Sequence, residues 1–304
     1  MLVFKNGREV QSQQIEMDGV EEALYVLPVS EIALLDSLLD IKSKILQGID
    51  PDDYNSKYEF HDGYDMLYIN IPPELQDTDN FRFLGAYITD NCVICIYEEW
   101  KEQPYLIEIV RNDVERGMSV RKVILALVDA ILRNDFKVLG KIEDNIDVME
   151  DSVTDSHIES KVREISQLRR ELLPLKRFYE HLMDAMEDLE ENKNGVFPEQ
   201  ELKYANLIYS RIDRLYKTVL NLRDYITQVR EAYQAQMDIA LNRTMKTFTV
   251  IAAIFLPLTL LAGWYGMNLQ MPEASWKYGY LFVAGIAIII VAVCIVYFKR
   301  KKWF

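Results

Sequence analysis

Histidine and cysteine are scarce in this sequence, with three of each among 304 residues. The histidines, His61, His157 and His181, have no metal-ligand spacing. Cys92 and Cys95 have CxxC spacing, but they lie in an apolar run that is typical of a strand. Because side chains three apart on a strand point to opposite faces, we expect free, reduced thiols there rather than a zinc or redox site.

Motifs of the common catalytic classes are also missing. The sequence contains no nucleophile elbow, no phosphate-binding loop and no HExxH. We therefore expect that the protein is not an enzyme. The first residues, MLVFKNGREV, lack a basic region followed by an apolar run, so we expect no secretory signal.

Charge is absent from two long runs near the C-terminus, 247–264 (TFTVIAAIFLPLTLLAGW) and 280–298 (YLFVAGIAIIIVAVCIVYF). At about 1.5 Å per residue, each helix would cross a hydrocarbon core of about 30 Å. Buried soluble helices are the alternative. Arg243, Lys246 and the tail KRKK flank the runs, whereas the connecting loop has one lysine and one glutamate. The positive-inside tendency then predicts a two-pass protein of the plasma membrane with both termini in the cytoplasm.

The net charge of −14 is unevenly distributed. From residue 241 onward there are seven basic residues and one acidic residue, so the first 240 residues hold 27 basic and 47 acidic ones, a balance of −20. Such a part would attract cations and would not bind nucleic acid through bulk charge. The usual meaning of an acidic surface is solubility.

The pattern along the chain changes near residue 116. Residues 1–115 predict a cytoplasmic α/β domain, with an Asn-Gly hairpin in VFKNGREVQ, strands in YDMLYINIP and GAYITDNCVICIYEE, and a helix in SEIALLDSLLDIKSKIL. Residues 116–246 predict helices, including one long stretch from Ser119 to Asp151 and another that Pro174 should kink. The fold class is thus an α+β cytoplasmic domain, an α/β sandwich, followed by a helical stalk and two transmembrane helices. The remaining boundaries are 247–264 for the first span, 265–279 for an extracellular loop, 280–298 for the second span and 299–304 for a basic tail.

A helix that Pro198 is well placed to start has no breaker before the membrane. Its apolar positions alternate in steps of four and three, which predicts a coiled-coil seam: Ile208, Ile212, Leu215, Val219, Leu222, Ile226, Val229 and Tyr233. The partner helices would come from the same chain or from other subunits. The helix is either a rigid stalk or a lever that carries a cytoplasmic signal to the membrane.

One face of the first span carries a stripe of small or weakly polar residues with a few bulky apolar ones: Gly263, Thr259, Leu256, Ala252, Thr249, Met245 and Asn242. Small residues on a membrane helix usually form a packing surface. The alternative is the lining of a pore, with several copies of the helix around a water-filled path.

Just beyond the stripe, Asn268 offers an amide oxygen that can accept hydrogen bonds from the waters of hydrated Mg²⁺, an ion that loses its waters reluctantly. Gly266 would permit the turn that aims it.

These residues resemble the CorA family of magnesium transporters. The resemblance rests on YGMN at 265–268, MPE at 271–273, Trp276, FLPLT at 255–259 and the KRKKW tail. It extends inward through 127–151 and the helix with Pro174, and covers roughly residues 55 to 304. The first 50 residues lack an acidic motif that is typical of the family.

The resemblance implies a homopentameric channel or transporter in the lipid bilayer, with a cytoplasmic funnel. In it, Gly266, Met267 and Asn268 would form the outer selectivity filter, and Glu273 in the loop would attract cations. The implied pore residues are Thr259, Leu256, Phe248, Met245 and Asn242. Leu256, where the family often has methionine, and Phe248 would form an apolar constriction that gates by dewetting.

The family also carries regulatory Mg²⁺ between cytoplasmic domains. Glu231 resembles one of its acidic stalk residues, and its candidate partners, Glu74, Asp77 and Asp79, lie in PPELQDTDN. The alternative for each carboxylate is a solvated surface position.

We therefore predict entry of Mg²⁺, with Co²⁺ and Ni²⁺ as further divalent ions. A zinc transporter of the same architecture is one alternative. A non-conducting, membrane-anchored coiled-coil scaffold is the other.

Overall fold

The computed structural model describes residues 1–11, 15, 22–48, 55–72, 81–99, 105–152, 158–267, 277–301 and 303. The chain divides into two compact units, which are described separately below. The first comprises Met1–Ser152 and Glu159–Arg230, and the second comprises Val153–Ile158 and Glu231–Phe304.

A seven-stranded sheet forms the centre of the first unit, in the order β2-β1-β3-β7-β6-β5-β4. Its strands are β1 (Leu2–Lys5), β2 (Arg8–Glu9), β3 (Ala23–Pro28), β4 (Lys57–His61), β5 (Tyr64–Asn70), β6 (Phe81–Ile88) and β7 (Cys92–Glu99). β3 and β7 pair in parallel, and the other neighbours are antiparallel.

The predicted hairpin is confirmed. β1 and β2 pair with Lys5 opposite Arg8, and the two turn residues between them, Asn6 and Gly7, have φ of 50° and 72°. Two positive φ angles in a two-residue turn match the right-handed twist of the strands, and Asn-Gly adopts them at the lowest cost.

The central strands β3 and β7 are buried at successive positions, and since side chains alternate along a strand, both of their faces are covered. Cys92 belongs to a cluster with Tyr25, Ile45 and Phe83, whereas Cys95, three residues along, is buried outside that cluster. Burial raises the pKa of each thiol to about 12, so both stay protonated at neutral pH. Both are free thiols, as the strand pattern predicts.

The predicted first helix has two parts, a 3₁₀ helix at Val29–Leu38 and α1 at Leu39–Gly48. Helices α2 (Tyr105–Glu115), α3 (Val120–Ile131) and α4 (Asp135–Asp151) follow the sheet. The long amphipathic stretch predicted from Ser119 to Asp151 is helical but consists of two helices, because the chain turns between α3 and α4. The buried Asp135 at this break accepts a hydrogen bond of 2.9 Å from Tyr179 Oη, a tertiary contact that sequence periodicity does not contain.

Two long helices follow along the chain. Helix α5 spans Ile158–Glu191 and continues through Pro174. After a turn, Pro198 accepts hydrogen bonds from the amides of Glu201 and Leu202, and α6 runs as one helix over Glu199–Tyr265.

The predicted seam of α6 is confirmed as a buried stripe, since every one of its eight residues from Ile208 to Tyr233 is buried. From Ile208 to Val229 this burial occurs within the first unit of one chain. Antiparallel α5 lies beside α6 there, since Tyr209 and Tyr216 of α6 donate hydrogen bonds from Oη to Glu187 and Glu180 of α5. The open choice between partners of the same chain and other subunits is therefore decided for these residues in favour of the same chain.

In the second unit, the membrane part of α6 is joined by α7 (Gly279–Arg300). Both helices are long and apolar enough to cross a membrane.

Candidate functional site

The first apolar segment has two chemically distinct faces. Buried or half-buried positions recur at helical spacing, namely Val250, Ala253, Ile254, Pro257, Leu258 and Leu261. The predicted stripe is exposed at every position: Asn242, Met245, Thr249, Ala252, Leu256, Thr259 and Gly263. At about 100° per residue, the two sets lie about 150° apart around the helix.

The covered face is the one that meets α7. Pro257 has no amide hydrogen, so the carbonyl of Ala253, four residues earlier, loses its helical hydrogen bond. The thiol of Cys294 on α7 lies 3.8 Å from that carbonyl oxygen and donates to it. In a membrane, such compensation makes a helical proline tolerable. Sequence reasoning missed this function of Cys294, although Pro257 by itself indicates that the Ala253 carbonyl needs a donor.

Composition distinguishes the stripe from its flanks, which are exposed as well. The flanking Phe255, Leu260 and Trp264 are large and apolar, as expected of surfaces that meet lipid or other apolar helices. The stripe instead holds Gly263 and two threonines. Exposure in one chain does not by itself separate packing from pore lining, but the hydroxyl groups add a second observation.

Both threonines of the stripe use their only proton within the helix. Thr259 Oγ1 donates to the carbonyl of Phe255 at 2.8 Å, and Thr249 Oγ1 donates to that of Met245 at 2.8 Å. A hydroxyl group has one donor and two acceptor lone pairs. Each oxygen is therefore left with acceptor capacity only, which suits the outward-pointing hydrogens of water around a cation.

Large, exposed apolar side chains lie within the stripe and beside it. Phe248 and Met245 are 63% and 58% exposed, and Leu256, further outward, is 70% exposed. These side chains have no polar atom that could replace ion hydration. Asn242 is exposed at the inner end, so the stripe has an amide there.

The outer end is described only up to Met267, which is 51% exposed. Gly266 does not have the positive φ that a left-handed turn would need. A glycine at this position is instead explained by the limited room for a side chain, because a Cβ there would lie 3.0 Å from the carbonyl oxygen of Ala262. The predicted filter residue Asn268 and the predicted loop residue Glu273 lie outside the described residues.

The predicted regulatory site is not assembled within the described part of the chain. Glu231 is exposed and forms no ion pair with another described residue. Glu74, Asp77 and Asp79 lie outside the described residues, and no group of three acidic, histidine or cysteine side chains suited to a metal ion is found among the residues that are described.

Comparisons with known proteins identify relatives over most of the chain. A family model described as "CorA-like Mg2+ transporter protein" matches residues 27–300. The cobalt/magnesium transport protein CorA of Thermotoga maritima is 30% identical over 257 residues, which cover 81% of this chain and 72% of that protein. The magnesium transport protein CorA of Mannheimia succiniciproducens is 37% identical over 107 residues, 35% of this chain and 34% of that protein.

A solved structure shares the fold. The CorA magnesium transporter of Methanocaldococcus jannaschii matches with a TM-score of 0.81 and 18% identity, over 100% of this chain and 98% of that one. The match extends over the sheet, the long helices and both C-terminal apolar helices.

Proposed function

This chain belongs to the CorA family of Mg²⁺ transporters, and from that premise we propose that it admits hydrated Mg²⁺ to the cytoplasm through a pore lined by the exposed stripe of α6. The transported ion is the substrate, with Co²⁺ and Ni²⁺ as further candidates. The observation that carries this proposal is the pair of acceptor-only oxygens, Thr249 and Thr259, on the face opposite α7. A packing surface needs small residues but does not need hydroxyl oxygens with free acceptor capacity.

The proposed assembly is a homopentamer in the plasma membrane with both termini in the cytoplasm. A single chain leaves the stripe uncovered, so copies must surround it to close a path through the bilayer. The proposed domain boundaries remain those of the sequence, with residues 247–264 and 280–298 inside the membrane and 265–279 outside. α6 and α7 extend beyond these limits at their cytoplasmic ends, where Lys246, Lys299 and Arg300 suit the interface.

For the outer filter we propose a ring of Asn268 side chains, next to Gly266 and Met267. Asn268→Ala removes the acceptor oxygen and should severely reduce Mg²⁺ uptake while the oligomer still assembles. Asn268→Asp keeps an oxygen but adds a charge in each copy, so Mg²⁺ should bind more tightly and other divalent ions should compete better. Uptake and oligomer yield should be measured for both variants. Near-normal uptake by the alanine variant would contradict the filter assignment.

For the gate we propose the apolar positions Leu256 and Phe248, where a narrow pore would lose its water. Leu256→Asn should make this constriction wet and raise leak at high internal Mg²⁺. Ile251→Asn is a matched control, because Ile251 is also large, apolar and exposed but lies about 140° from Leu256 around the helix. Equal leak in both variants would argue against a gate at Leu256.

For regulation we propose that Mg²⁺ held near Glu231 neutralises repulsion between strongly acidic cytoplasmic parts and favours the closed state. Candidate partners are Glu74, Asp77 and Asp79. Glu231→Lys should weaken inhibition of uptake by internal Mg²⁺. Unchanged inhibition would remove Glu231 from regulation.

Flux into liposomes tests the function as a whole. The purified protein should admit Mg²⁺ down its gradient. Zinc flux without magnesium flux would favour a zinc transporter, and the absence of any flux would favour a non-conducting scaffold.

A further inference from the structure

Helices α5 and α6 enclose a groove that the transport function does not use. Their antiparallel register is set by hydrogen bonds of 2.7 Å from Tyr209 Oη to Glu187 and 2.6 Å from Asn206 to Glu190. Further from the connecting turn, the helices border a cavity of about 340 Å³. We call it the arginine groove, since its lining includes Arg169, Arg170, Arg223 and Arg230.

The charge of the arginine groove is opposite to that of its surroundings. The cytoplasmic part carries a balance of −20, yet no carboxylate lines this cavity. Among the residues that the structure describes, none forms an ion pair with any of the four guanidinium groups. With those described residues, the four guanidinium groups make a single hydrogen bond, which runs from Arg170 Nε to the carbonyl of Ser166 at 3.3 Å.

Arg223 is half-buried and the other three arginines are exposed, so water weakens the repulsion between the four guanidinium groups, and an anion between them would remove more of it. Each group is a planar donor that binds two oxygens of a phosphate or carboxylate side by side, and each remains charged at any physiological pH. A single carboxylate or chloride would neutralise only one of the four. An anion with three or more charges and several oxygens matches the whole set.

The volume and the lining residues of the arginine groove limit which anions it can bind. Small-molecule sites in proteins span about 300–1,000 Å³, so this cavity is at the small end of that range. Ser166 donates its hydroxyl proton to the carbonyl of Val162 at 2.9 Å, so the donors of the groove are its arginines, and Leu173, which is 41% exposed, adds an apolar surface. A chain of phosphates would meet the arginines, and a sugar or base attached to it would meet Leu173.

We propose that the arginine groove binds a di- or triphosphate group, held by Arg169 and Arg170 on α5 and by Arg223 and Arg230 on α6. The bound group would join the two helices across the groove. Inorganic tripolyphosphate and a nucleoside triphosphate share this chemistry.

The test is calorimetric titration of the full-length protein in detergent, freed of divalent ions and of chelator by desalting, with tripolyphosphate and, separately, with ATP. One ligand should bind per chain. In the double variant Arg170→Gln/Arg223→Gln the affinity should fall about 100-fold, since two charge-assisted contacts are lost and each weakens binding by about tenfold. Arg214→Gln is the matched control, because Arg214 is an exposed arginine of α6 outside the groove. Its affinity should stay within about twofold of the wild type, the size of change expected where only long-range charge is altered.

A second variant separates a built site from general attraction. Arg170→Lys/Arg223→Lys keeps both charges but loses the paired donors, so it should also bind clearly more weakly than the wild type. Wild-type affinity in this variant or in the glutamine variant, or no binding of either ligand, would overturn the proposal. Tighter binding of ATP than of tripolyphosphate would identify a nucleotide as the ligand, and equal binding would identify the phosphate chain alone. Thermal unfolding of each variant without ligand checks that it is folded.

Discussion

Replacing Thr259 by valine tests most directly whether the stripe of α6 meets hydrated ions. Valine has the shape of threonine but lacks the oxygen, which in this structure has acceptor capacity only, because its proton goes to Phe255. If waters of the passing ion donate to this oxygen, the variant leaves them without that partner. A hydrogen bond contributes about 1 kcal/mol net, which is about fivefold in rate. If the hydrated ion contacts this residue in two copies at once, the decrease in rate would be about 30-fold. Mg²⁺ flux should therefore decrease by a factor between about five and about 30.

The assay is initial Mg²⁺ influx into proteoliposomes that contain equal amounts of assembled protein. Thr247→Val is a matched control, because Thr247 Oγ1 makes the same kind of bond, to the carbonyl of Arg243 at 3.1 Å, but lies off the stripe. Thr259→Ser should restore flux, since it restores the oxygen. Normal flux in Thr259→Val, or an equal loss in Thr247→Val, would refute the pore-lining interpretation of the hydroxyl groups.

Three further predictions concern stability. Cys294→Ala should lower the thermal unfolding midpoint of the protein in detergent, because the Ala253 carbonyl loses its donor. Cys294→Ser should retain most of the stability. Equal midpoints for the wild type and both variants would contradict the contact with Ala253. Ile212→Ala should lower the free energy of unfolding by about 2–5 kcal/mol, as expected for a fully buried isoleucine. Leu207→Ala, at an exposed position of the same helix, should lower it far less. Similar losses of stability in the two variants would show that the seam is not packed as described. The hydrogen bond to Glu187 raises the pKa of Tyr209 to about 12. A free tyrosine has a pKa of about 10. The hydrogen bond should therefore contribute fully to stability below about pH 10, and this contribution should be lost as the pH rises toward 12. Tyr209→Phe should therefore show a shallower loss of stability in this alkaline range, and an unchanged alkaline profile would contradict the bond.

Several elements could be predicted from the sequence because their signals are local. The Asn-Gly hairpin depends on two residues that accept positive φ, and the strand at Cys92 on a run of apolar residues. The seam of α6 depends on a spacing that only a helix can place on one side. The stripe at Thr249 and Thr259 followed from the same periodicity. The family resemblance then supplied an interpretation that spacing alone left open between packing and pore.

Other features depend on contacts between distant segments and therefore had no local signal. The break between α3 and α4 contains neither proline nor glycine, and it coincides with the bond from Tyr179 to the buried Asp135. The first predicted helix begins as a 3₁₀ segment although its apolar spacing resembles that of an α-helix. Gly266 lies close to the carbonyl of Ala262, where a side chain would fit tightly, and does not form a left-handed turn.

The sequence by itself determined that two uncharged runs suit a bilayer, that a long amphipathic helix precedes the first of them, and that one face of this span is small and weakly polar. These properties follow from hydrophobicity and helical periodicity, which act over a few residues. Only the tertiary structure decided which face of the span α7 covers, that the Cys294 thiol donates to the carbonyl left free by Pro257, and that four arginines from α5 and α6 border one cavity. Such contacts join residues tens of positions apart, and their geometry exists only once the helices pack.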